Sequence, residues 1–187
     1  MIEFNDYGRG FSTATGKPEA VSWITSHIPR NGGILDVGFG CAIYARLLRK
    51  QGYTNIDGVD VYENGVKELK LDKYYNNIFI SNILDFNFDF YELIILGDVL
   101  EHLTLEDAQA LLEGWIRKNK MNHLLVSIPF QLKQSSTHEN LHEEHLQPEI
   151  TLNYMKTHYP YLKQLYSAEM EEVPGKNIGI YTWRRTL

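Results

Sequence analysis

The chain contains 187 residues, 43% of them hydrophobic, and carries a formal net charge of −6. This length and apolar content suffice for a full core in one domain, and no apolar run approaches the ~20 residues of a membrane span. The basic residues are scattered along an acidic chain, which argues against broad electrostatic binding of nucleic acid and favours a small-molecule partner.

The start of the chain is predicted to form an N-terminal cap followed by one helix. Apolar residues recur at helical spacing over Lys17–Ile28, and Pro29 ends that segment before the first strand. The first residues lack the basic and apolar regions of a signal peptide, and the single cysteine, Cys41, is compatible with a reducing compartment. We therefore expect a cytoplasmic protein.

The most informative segment follows, where a buried strand over residues 34–37 passes into a helix over Ala42–Gln51 across a glycine turn. Gly38 and Gly40 let the backbone turn sharply and lie close to a ligand. Asp36 stands two residues before the first glycine, where its carboxylate would repel the pyrophosphate of a dinucleotide. The segment therefore favours a positively charged, nucleotide-like ligand.

A second strand is predicted within Asn55–Asn64, and it ends at Asp60. A helix over Glu63–Leu69 follows that strand. In nucleotide-binding α/β units, an acid at the tip of this strand accepts hydrogen bonds from both ribose hydroxyls. The alternative role for Asp60 is to cap the helix that starts near Glu63.

Three further strands are predicted along the chain. The segment Ile78–Phe86 contains the third strand and its exit loop, Leu93–Leu96 is an apolar run typical of a central strand, and His123–Phe130 is the fifth strand. A helix is predicted over Leu105–Lys118, with Thr104 as its N-cap. Strands that alternate with helices imply a doubly wound, mostly parallel sheet, which binds ligands at the carboxyl edge of its strands.

The elements between Gly32 and Phe130 resemble the class I S-adenosylmethionine-dependent methyltransferases. The first motif of that family is D/E-x-G-x-G-x-G, and here it reads Asp36-Val37-Gly38-Phe39-Gly40-Cys41-Ala42. Ala42 replaces the last glycine and is small enough to keep the turn. The resemblance implies an α/β fold with a Rossmann-like, doubly wound, mostly parallel seven-stranded sheet and an antiparallel C-terminal strand.

The resemblance also implies a cofactor, S-adenosyl-L-methionine, and the residues that bind it. Asp60 would bind the ribose. The segment before the core could close over the cofactor, with Tyr7 or Arg9 at the methionine carboxylate, or it could be an ordinary terminal tail. The family has an acid at the position of Asn82, whose carbonyl oxygen can still accept a hydrogen bond from the adenine amino group. The implied cofactor-binding residues are Tyr7, Asp36, Gly38, Gly40, Asp60, Val61, Asn82, Ile83, Gly97 and Asp98.

The pattern changes after the fifth strand. The segment Gln131–Gln147 is polar and rich in histidine, which predicts a substrate lid. A helix is predicted over Pro148–His158, and two strands over Leu162–Ser167 and Ile178–Trp183. The expected single domain, 1–187, thus has an N-terminal cap and helix in 1–31, a cofactor-binding core in 32–130, and the lid with the C-terminal strands in 131–187.

Two groups of polar side chains could carry the chemistry at the carboxyl edge. Asp98, Glu101 and His102 stand at i, i+3 and i+4, so they share one face if the chain turns helical after the fourth strand. The second group is His138–His145, in the loop after the fifth strand. The topology of an open α/β sheet brings both groups over the same crevice.

Three interpretations of these side chains remain open. They could be solvated surface residues that pair locally. His102 or His145 could be a general base, with Glu144 or Glu101 orienting it. Glu101, His102 and His145 could hold a divalent metal ion, with Asp98 nearby.

The metal arrangement resembles that of small-RNA terminal 2′-O-methyltransferases, which use an E-x-x-E-H helix start and a distal histidine. Here Asp98 replaces the first glutamate, and His142 competes with His145 for the distal position. We expect O-methylation of a small, polar or sugar-like acceptor. The alternatives are a metal-assisted enzyme similar to the RNA 2′-O-methyltransferases, and a non-catalytic S-adenosylmethionine-binding sensor or partner subunit.

Overall fold

The computed structural model describes residues 13–135 and 141–186, so the predictions for Tyr7, Arg9 and His138 lie outside the described residues. The described residues form a seven-stranded sheet in the order β3-β2-β1-β4-β5-β7-β6. The strands are β1 (Ile34–Val37), β2 (Ile56–Asp60), β3 (Ile78–Ile80), β4 (Tyr91–Gly97), β5 (Met121–Pro129), β6 (Lys163–Glu169) and β7 (Asn177–Arg184).

The first five strands are parallel, and β7 is antiparallel to both of its neighbours, β5 and β6. This confirms the expected doubly wound, mostly parallel sheet with an antiparallel C-terminal strand. The helices are α1 (Lys17–His27), α2 (Ile43–Lys50), α3 (Glu63–Leu69), α4 (Leu105–Arg117) and α5 (Leu152–His158), with 3-10 turns at Leu71–Tyr74, Leu100–His102 and Leu141–Glu143.

The register of the parallel strands aligns their carboxyl ends. Val37 in β1 is paired with Val59 in β2 and with Leu96 in β4, and Gly97 in β4 is paired with Ser127 in β5. The residues that follow these strands therefore emerge along one edge of the sheet.

Two apolar layers cover the sheet. On one face, Leu35 and Leu96 pack in a cluster with α4 and α5, whereas on the other face Ile34 and Ile95 pack in a cluster with α1 and α2. All four of these side chains are buried. Because the central strands are covered on both faces, they are mostly apolar, as in the run Leu93–Leu96 of β4.

Two predicted helix starts had different outcomes. The Thr104 hydroxyl accepts a hydrogen bond from the Asp107 N–H at 3.1 Å, which confirms Thr104 as the N-cap of α4. The prediction that α5 begins at Pro148 was wrong, because Ile150 is still non-helical and its carbonyl accepts from the Gln131 N–H. Thr151 is the N-cap, and the helix begins one residue later. In the described part of the chain, none of the helices has the length and apolarity to traverse a lipid bilayer.

Candidate active site

A cavity of about 730 Å³ opens at the carboxyl edge of the sheet, a volume typical of a small-molecule site. Residues from the ends of β1, β2, β3 and β4 all line it. Every cofactor-binding residue predicted within the described part of the chain is among them: Asp36, Gly38, Gly40, Asp60, Val61, Asn82, Ile83, Gly97 and Asp98.

The two glycines of the turn are needed for different physical reasons. Both have left-handed backbone conformations, with φ of 60° at Gly38 and 47° at Gly40. A Cβ on Gly38 would lie 2.5 Å from Cγ2 of Val99, whereas a Cβ on Gly40 would meet nothing within 4 Å. Gly38 thus allows close packing, and Gly40 leaves its side of the turn open to the cavity. Ala42 keeps the left-handed conformation with φ of 62°.

Asp60 connects the glycine turn to the start of α3. One of its carboxylate oxygens accepts a hydrogen bond from the Gly40 N–H at 3.0 Å, and the other accepts from the Tyr62 N–H at 2.9 Å. Burial raises the pKa of Asp60, although these N–H donors act in the opposite direction. A carboxylate has about four acceptor sites, so these backbone donors leave acceptor capacity for a ligand.

Asp36 is the buried acid of the turn. It is 2% exposed, and the Tyr75 hydroxyl donates a 2.8 Å hydrogen bond to it. Burial raises its pKa to about 7, and the Tyr75 hydrogen bond only partly offsets that effect.

Asn82 lies in the turn after β3. Its side-chain oxygen accepts a hydrogen bond from the Leu84 N–H at 3.0 Å, which forms a local turn of the kind typical of Asn. The same oxygen retains a second lone pair for a donor on a ligand. The neighbouring Ile83 is 7% exposed and belongs to the core.

Lys17 is a site residue that the sequence analysis did not identify. It is 3% exposed and lies at the start of α1, and its ammonium group donates to the Ser127 hydroxyl at 3.1 Å. It also forms a 3.2 Å ion pair with Asp98, and the ammonium lies 4.5 Å from the centre of the Tyr44 ring. Burial lowers the pKa of Lys17, but the charge of Asp98 and the nearby Tyr44 more than offset this and raise it overall. No sequence motif marks this position.

The segment after β4 does not form the predicted α-helix. Asp98 has a left-handed backbone with φ of 59°, and its N–H donates to the Ser127 carbonyl, which extends the strand pairing. Only a short 3-10 turn follows, at Leu100–His102. Asp98, Glu101 and His102 were expected to share a face if the chain turned helical after β4, and that condition is not met. Asp98 instead pairs with Lys17.

Glu101, His102 and His145 form a compact cluster. One ligand atom from each lies within 4.8 Å of the others, and the two imidazole rings are 4.7 Å apart, edge to face. Glu101 is 1% exposed, and neither of its oxygens has a hydrogen-bond partner among the described residues. Burial, together with the charge of Asp98, raises the pKa of Glu101 well above its usual value. An unpartnered buried carboxyl group is costly unless a ligand completes it.

Main-chain carbonyl groups orient both histidines. Nδ1 of His102 lies 3.1 Å from the Glu144 carbonyl oxygen, and Nδ1 of His145 lies 2.8 Å from the Leu132 carbonyl oxygen. A carbonyl oxygen can only accept, so Nδ1 carries the hydrogen in both rings and Nε2 keeps its lone pair. Burial lowers the pKa of His102 to about 4 and also lowers that of His145.

Glu144 was expected to orient a histidine through its carboxylate. Its side chain is exposed and does not line the cavity, and its main-chain carbonyl contacts His102 instead. The segment around it packs against the 3-10 turn, since the N–H groups of Leu146 and Gln147 both donate to the Glu101 carbonyl. The described part of the predicted lid therefore forms a wall of the cavity.

The comparisons with known proteins show similarity of structure and not of sequence. No protein-family model matches the chain, and no curated protein matches it. The MccD protein aligns with a TM-score of 0.64 at 12% identity, over 94% of this chain and 99% of that one. Magnesium protoporphyrin IX methyltransferase from Synechocystis PCC 6803, with bound SAH, aligns with a TM-score of 0.65 at 16% identity, over 91% and 82%.

The methyltransferase domain of bacterial CtHen1 aligns with a TM-score of 0.60 at 20% identity, over 89% of this chain and 98% of that one. These alignments span nearly the whole sheet and its helices. The chain has the class I methyltransferase fold. Within this fold, the cavity lies at the carboxyl ends of β1, β2, β3 and β4, beside the glycine turn.

Proposed function

We propose that the protein is an S-adenosylmethionine-dependent methyltransferase that O-methylates a small, polar or sugar-like acceptor. The observation that carries this proposal is the convergence of nine expected cofactor-binding residues on one cavity, with the open side of Gly40 facing it. Adenine would lie beside Asn82, ribose beside Asp60, and the methionine part beside the glycine turn. This order follows the strand ends from β3 through β2 to β1.

The charges of the cavity support a cationic ligand. Six carboxyl groups line it, from Asp36, Asp60, Asp98, Glu101, Glu143 and Glu172. Among the described lining residues, Lys17 and Arg46 carry the permanent positive charges. Burial raises the pKa of Asp36 and of Glu101, so the negative charge comes mainly from the other four acids, which still outnumber the two cations. This excess favours a sulfonium ion over the pyrophosphate of a nicotinamide cofactor.

The reaction requires an acceptor oxygen to approach the methyl carbon in line with the breaking bond to sulfur. The new bond joins that oxygen to the methyl group, and the acceptor hydroxyl loses its proton. Nε2 of His102 or His145 has a free lone pair on a neutral ring, so either can accept this proton. The carbonyl groups that hold the Nδ1 hydrogens keep both rings ready for that transfer.

A divalent metal ion is the second candidate for this cluster, and one observation favours it. Glu101 offers two buried oxygens without a hydrogen-bond partner among the described residues. Next to them lie two imidazoles that bind main-chain carbonyl groups through Nδ1, which leaves Nε2 of each ring as the atom that can bind a metal ion. One carboxylate and two oriented imidazoles fit manganese, cobalt or zinc. A bound ion would supply Lewis acidity at the acceptor oxygen. This candidate corresponds to a metal-assisted enzyme similar to the RNA 2′-O-methyltransferases.

Calorimetry with S-adenosylhomocysteine and with NAD tests the cofactor. We expect the protein to bind S-adenosylhomocysteine and to bind NAD far more weakly, and preference for NAD would refute the proposal. Binding without turnover on any hydroxylated acceptor, including an oligoribonucleotide with a free terminal ribose, would instead indicate a non-catalytic sensor or partner subunit.

Elemental analysis of the purified protein distinguishes the two roles of the cluster. If a metal is held there, it copurifies with the wild type, is lost in His102→Ala and His145→Ala, and its removal by a chelator abolishes turnover. If a histidine is the base, turnover is insensitive to the chelator and falls in the same variants. Full turnover in both variants without copurified metal would show that the cluster serves neither role.

A further inference from the structure

We propose that Glu172 holds shut a gate in one wall of the cavity, and that this gate opens to admit S-adenosylmethionine and to release S-adenosylhomocysteine. The gate consists of the strap, residues 13–16 before α1, and the hairpin, residues 170–176 between β6 and β7. This inference rests on the proposed function, because the ligand is the cofactor of that function. Glu172 lies outside the motifs identified in the sequence.

The strap and the hairpin meet at the cavity. Thr13 in the strap lines it, as do Met170 and Glu172 in the hairpin. Thr13 and Glu172 are 159 positions apart in the sequence, yet the Thr13 hydroxyl donates to the Glu172 carboxylate at 2.6 Å. Thr13 is 3% exposed. The two segments therefore form one wall, and their separation would open the cavity.

A single carboxylate makes most of the contacts across this wall. Glu172 accepts from the Thr13 hydroxyl and the Ala14 N–H at 2.6 Å each, and from the Thr15 hydroxyl at 3.3 Å. The Glu171 N–H donates to the Thr15 hydroxyl oxygen at 3.1 Å. Among the described residues, every hydrogen bond between the strap and the hairpin thus uses the side chain of Glu172 or Thr15. Loss of one carboxylate would remove three of these four bonds.

The strap has a pivot where it joins α1. Gly16 is the N-cap of α1 with a left-handed φ of 78°, and no side chain of the described residues caps the helix there. The Lys17 N–H bond to the Ala14 carbonyl is local. The helix is anchored separately, since the Lys17 ammonium binds Asp98 and Ser127. The strap can therefore move about Gly16 while α1 stays in place.

The wall formed by residues 141–147 is held differently. The N–H groups of Leu146 and Gln147 donate to the Glu101 carbonyl, and the His145 N–H donates to the Gln134 carbonyl. These main-chain bonds do not depend on any one side chain. The wall between the strap and the hairpin is therefore the one that parts more easily.

Ligand exchange requires such an opening at every turnover. S-adenosylhomocysteine lacks only the transferred methyl group, so it occupies the same part of the cavity as the cofactor and must leave before the next reaction. A closed wall excludes water from the sulfonium during methyl transfer, and an open wall releases the product. Opening of this kind limits the turnover of many enzymes.

Surface plasmon resonance with S-adenosylhomocysteine measures the gate in both directions. For Glu172→Ala we expect the dissociation rate constant to rise about 10- to 100-fold and the association rate constant to rise by a smaller factor. The faster association is decisive, because loss of an ordinary ligand contact acts mainly on dissociation. Thr13→Val removes one bond to Glu172 and should raise both rate constants by a smaller factor.

Glu169→Ala is the matched control. Glu169 ends the strand that leads into the hairpin, accepts a hydrogen bond from the Gly175 N–H at 2.6 Å, and does not line the cavity. Both rate constants of this variant should keep their wild-type values. Equal acceleration in Glu169→Ala and Glu172→Ala would show that a loosened hairpin causes the effect, and would refute the role of Glu172.

Amide hydrogen exchange of the wild type, measured by NMR, tests the motion without any substitution. The Ala14 N–H, which donates to Glu172, should exchange faster than the Ile94 N–H in β4, because the strap opens without unfolding of the sheet. Equally slow exchange at both amides would show that the strap separates only when the whole protein unfolds, and would refute the gate.

The outcomes separate the inference from the proposed function. If the wild type does not bind S-adenosylhomocysteine, both are refuted. If it binds, but Glu172→Ala and Thr13→Val leave the association rate constant unchanged or lower it, the cofactor assignment stands and the gate is refuted.

Discussion

Replacement of Asp60 by alanine should affect folding and ligand binding by separable amounts. Asp60 accepts hydrogen bonds from the Gly40 and Tyr62 N–H groups, at 3.0 Å and 2.9 Å. Each hydrogen bond to a charged group contributes about 1.5–3 kcal/mol, and the lower value applies because the side chain is only partly buried. Asp60→Ala should therefore lower the free energy of unfolding by at most about 3 kcal/mol, because the burial that raises the pKa of Asp60 offsets part of these bonds.

The ribose adds a second effect. If both ribose hydroxyls donate to Asp60, Asp60→Ala loses about 3 kcal/mol of binding free energy, which corresponds to a Kd about 150-fold higher. Part of this loss could arise through the disturbed glycine turn. The 2′-deoxy analogue of 5′-methylthioadenosine removes that ambiguity, because it deletes one ribose donor while leaving the protein unchanged.

Calorimetry with 5′-methylthioadenosine and its 2′-deoxy analogue, on wild type and on Asp60→Ala, tests the ribose contact. The wild type should bind the ribose form about tenfold more tightly than the deoxy form, and Asp60→Ala should bind both equally. Asp57→Asn is the control, since Asp57 lies on the same strand, accepts from Asn77 and Tyr91, and does not line the cavity. It should keep the wild-type ratio. If Asp60→Ala keeps it too, Asp60 holds the loops and does not bind ribose.

Three other perturbations have defined outcomes. Gly40 has a left-handed backbone, so Gly40→Ala should lower the free energy of unfolding by about 1–2 kcal/mol and should also weaken S-adenosylhomocysteine binding, whereas Gly38→Ala should mainly unfold the protein. Equal Kd values for Gly40→Ala and wild type would refute a close approach of the ligand to the Gly40 backbone. Burial raises the pKa of Asp36 from 3.8 to about 7, so ionisation of Asp36 destabilises the folded protein as the pH rises through that range. In urea titrations, the free energy of unfolding of Asp36→Asn should rise relative to that of the wild type by up to about 1.4 kcal/mol per pH unit. Parallel plots of unfolding free energy against pH would contradict this. The Glu172 carboxylate accepts from the Thr13 hydroxyl and from the Ala14 N–H, at 2.6 Å each. Glu172→Ala should lower the free energy of unfolding in urea by about 2 kcal/mol and weaken ligand binding. Unchanged stability would show that these bonds do not hold the segment around Thr13 in place.

The sequence predicted the elements whose signals are local. Runs such as Leu93–Leu96 are apolar because both faces of a central strand are covered, and the glycine turn has a residue pattern that few other structures require. The helix over Glu63–Leu69 was predicted with the observed bounds. Since the carboxyl ends of parallel strands share an edge, the predicted strands also sufficed to bring the cofactor residues together.

The rest of the site depends on contacts between distant segments. Lys17 pairs with Asp98 and Ser127, which lie 81 and 110 positions away, and no periodicity records such a pairing. Asp98 has a left-handed backbone and donates its N–H to Ser127 in β5, a contact between distant segments that the local helical spacing does not indicate. Carbonyl groups orient His102 and His145, and a main-chain carbonyl has no signature in the sequence.

The position of β7 inside the sheet has a consequence for the nascent chain. β7 lies between β5 and β6, yet it begins about fifty positions after β5 ends, so on the ribosome β5 must wait for its second neighbour. Glu172, in the hairpin before β7, also contacts Thr13 across 159 positions. The cavity can therefore close only after this hairpin has emerged. Until then β5 presents an unpaired apolar edge, the kind of surface that chaperones shield from aggregation.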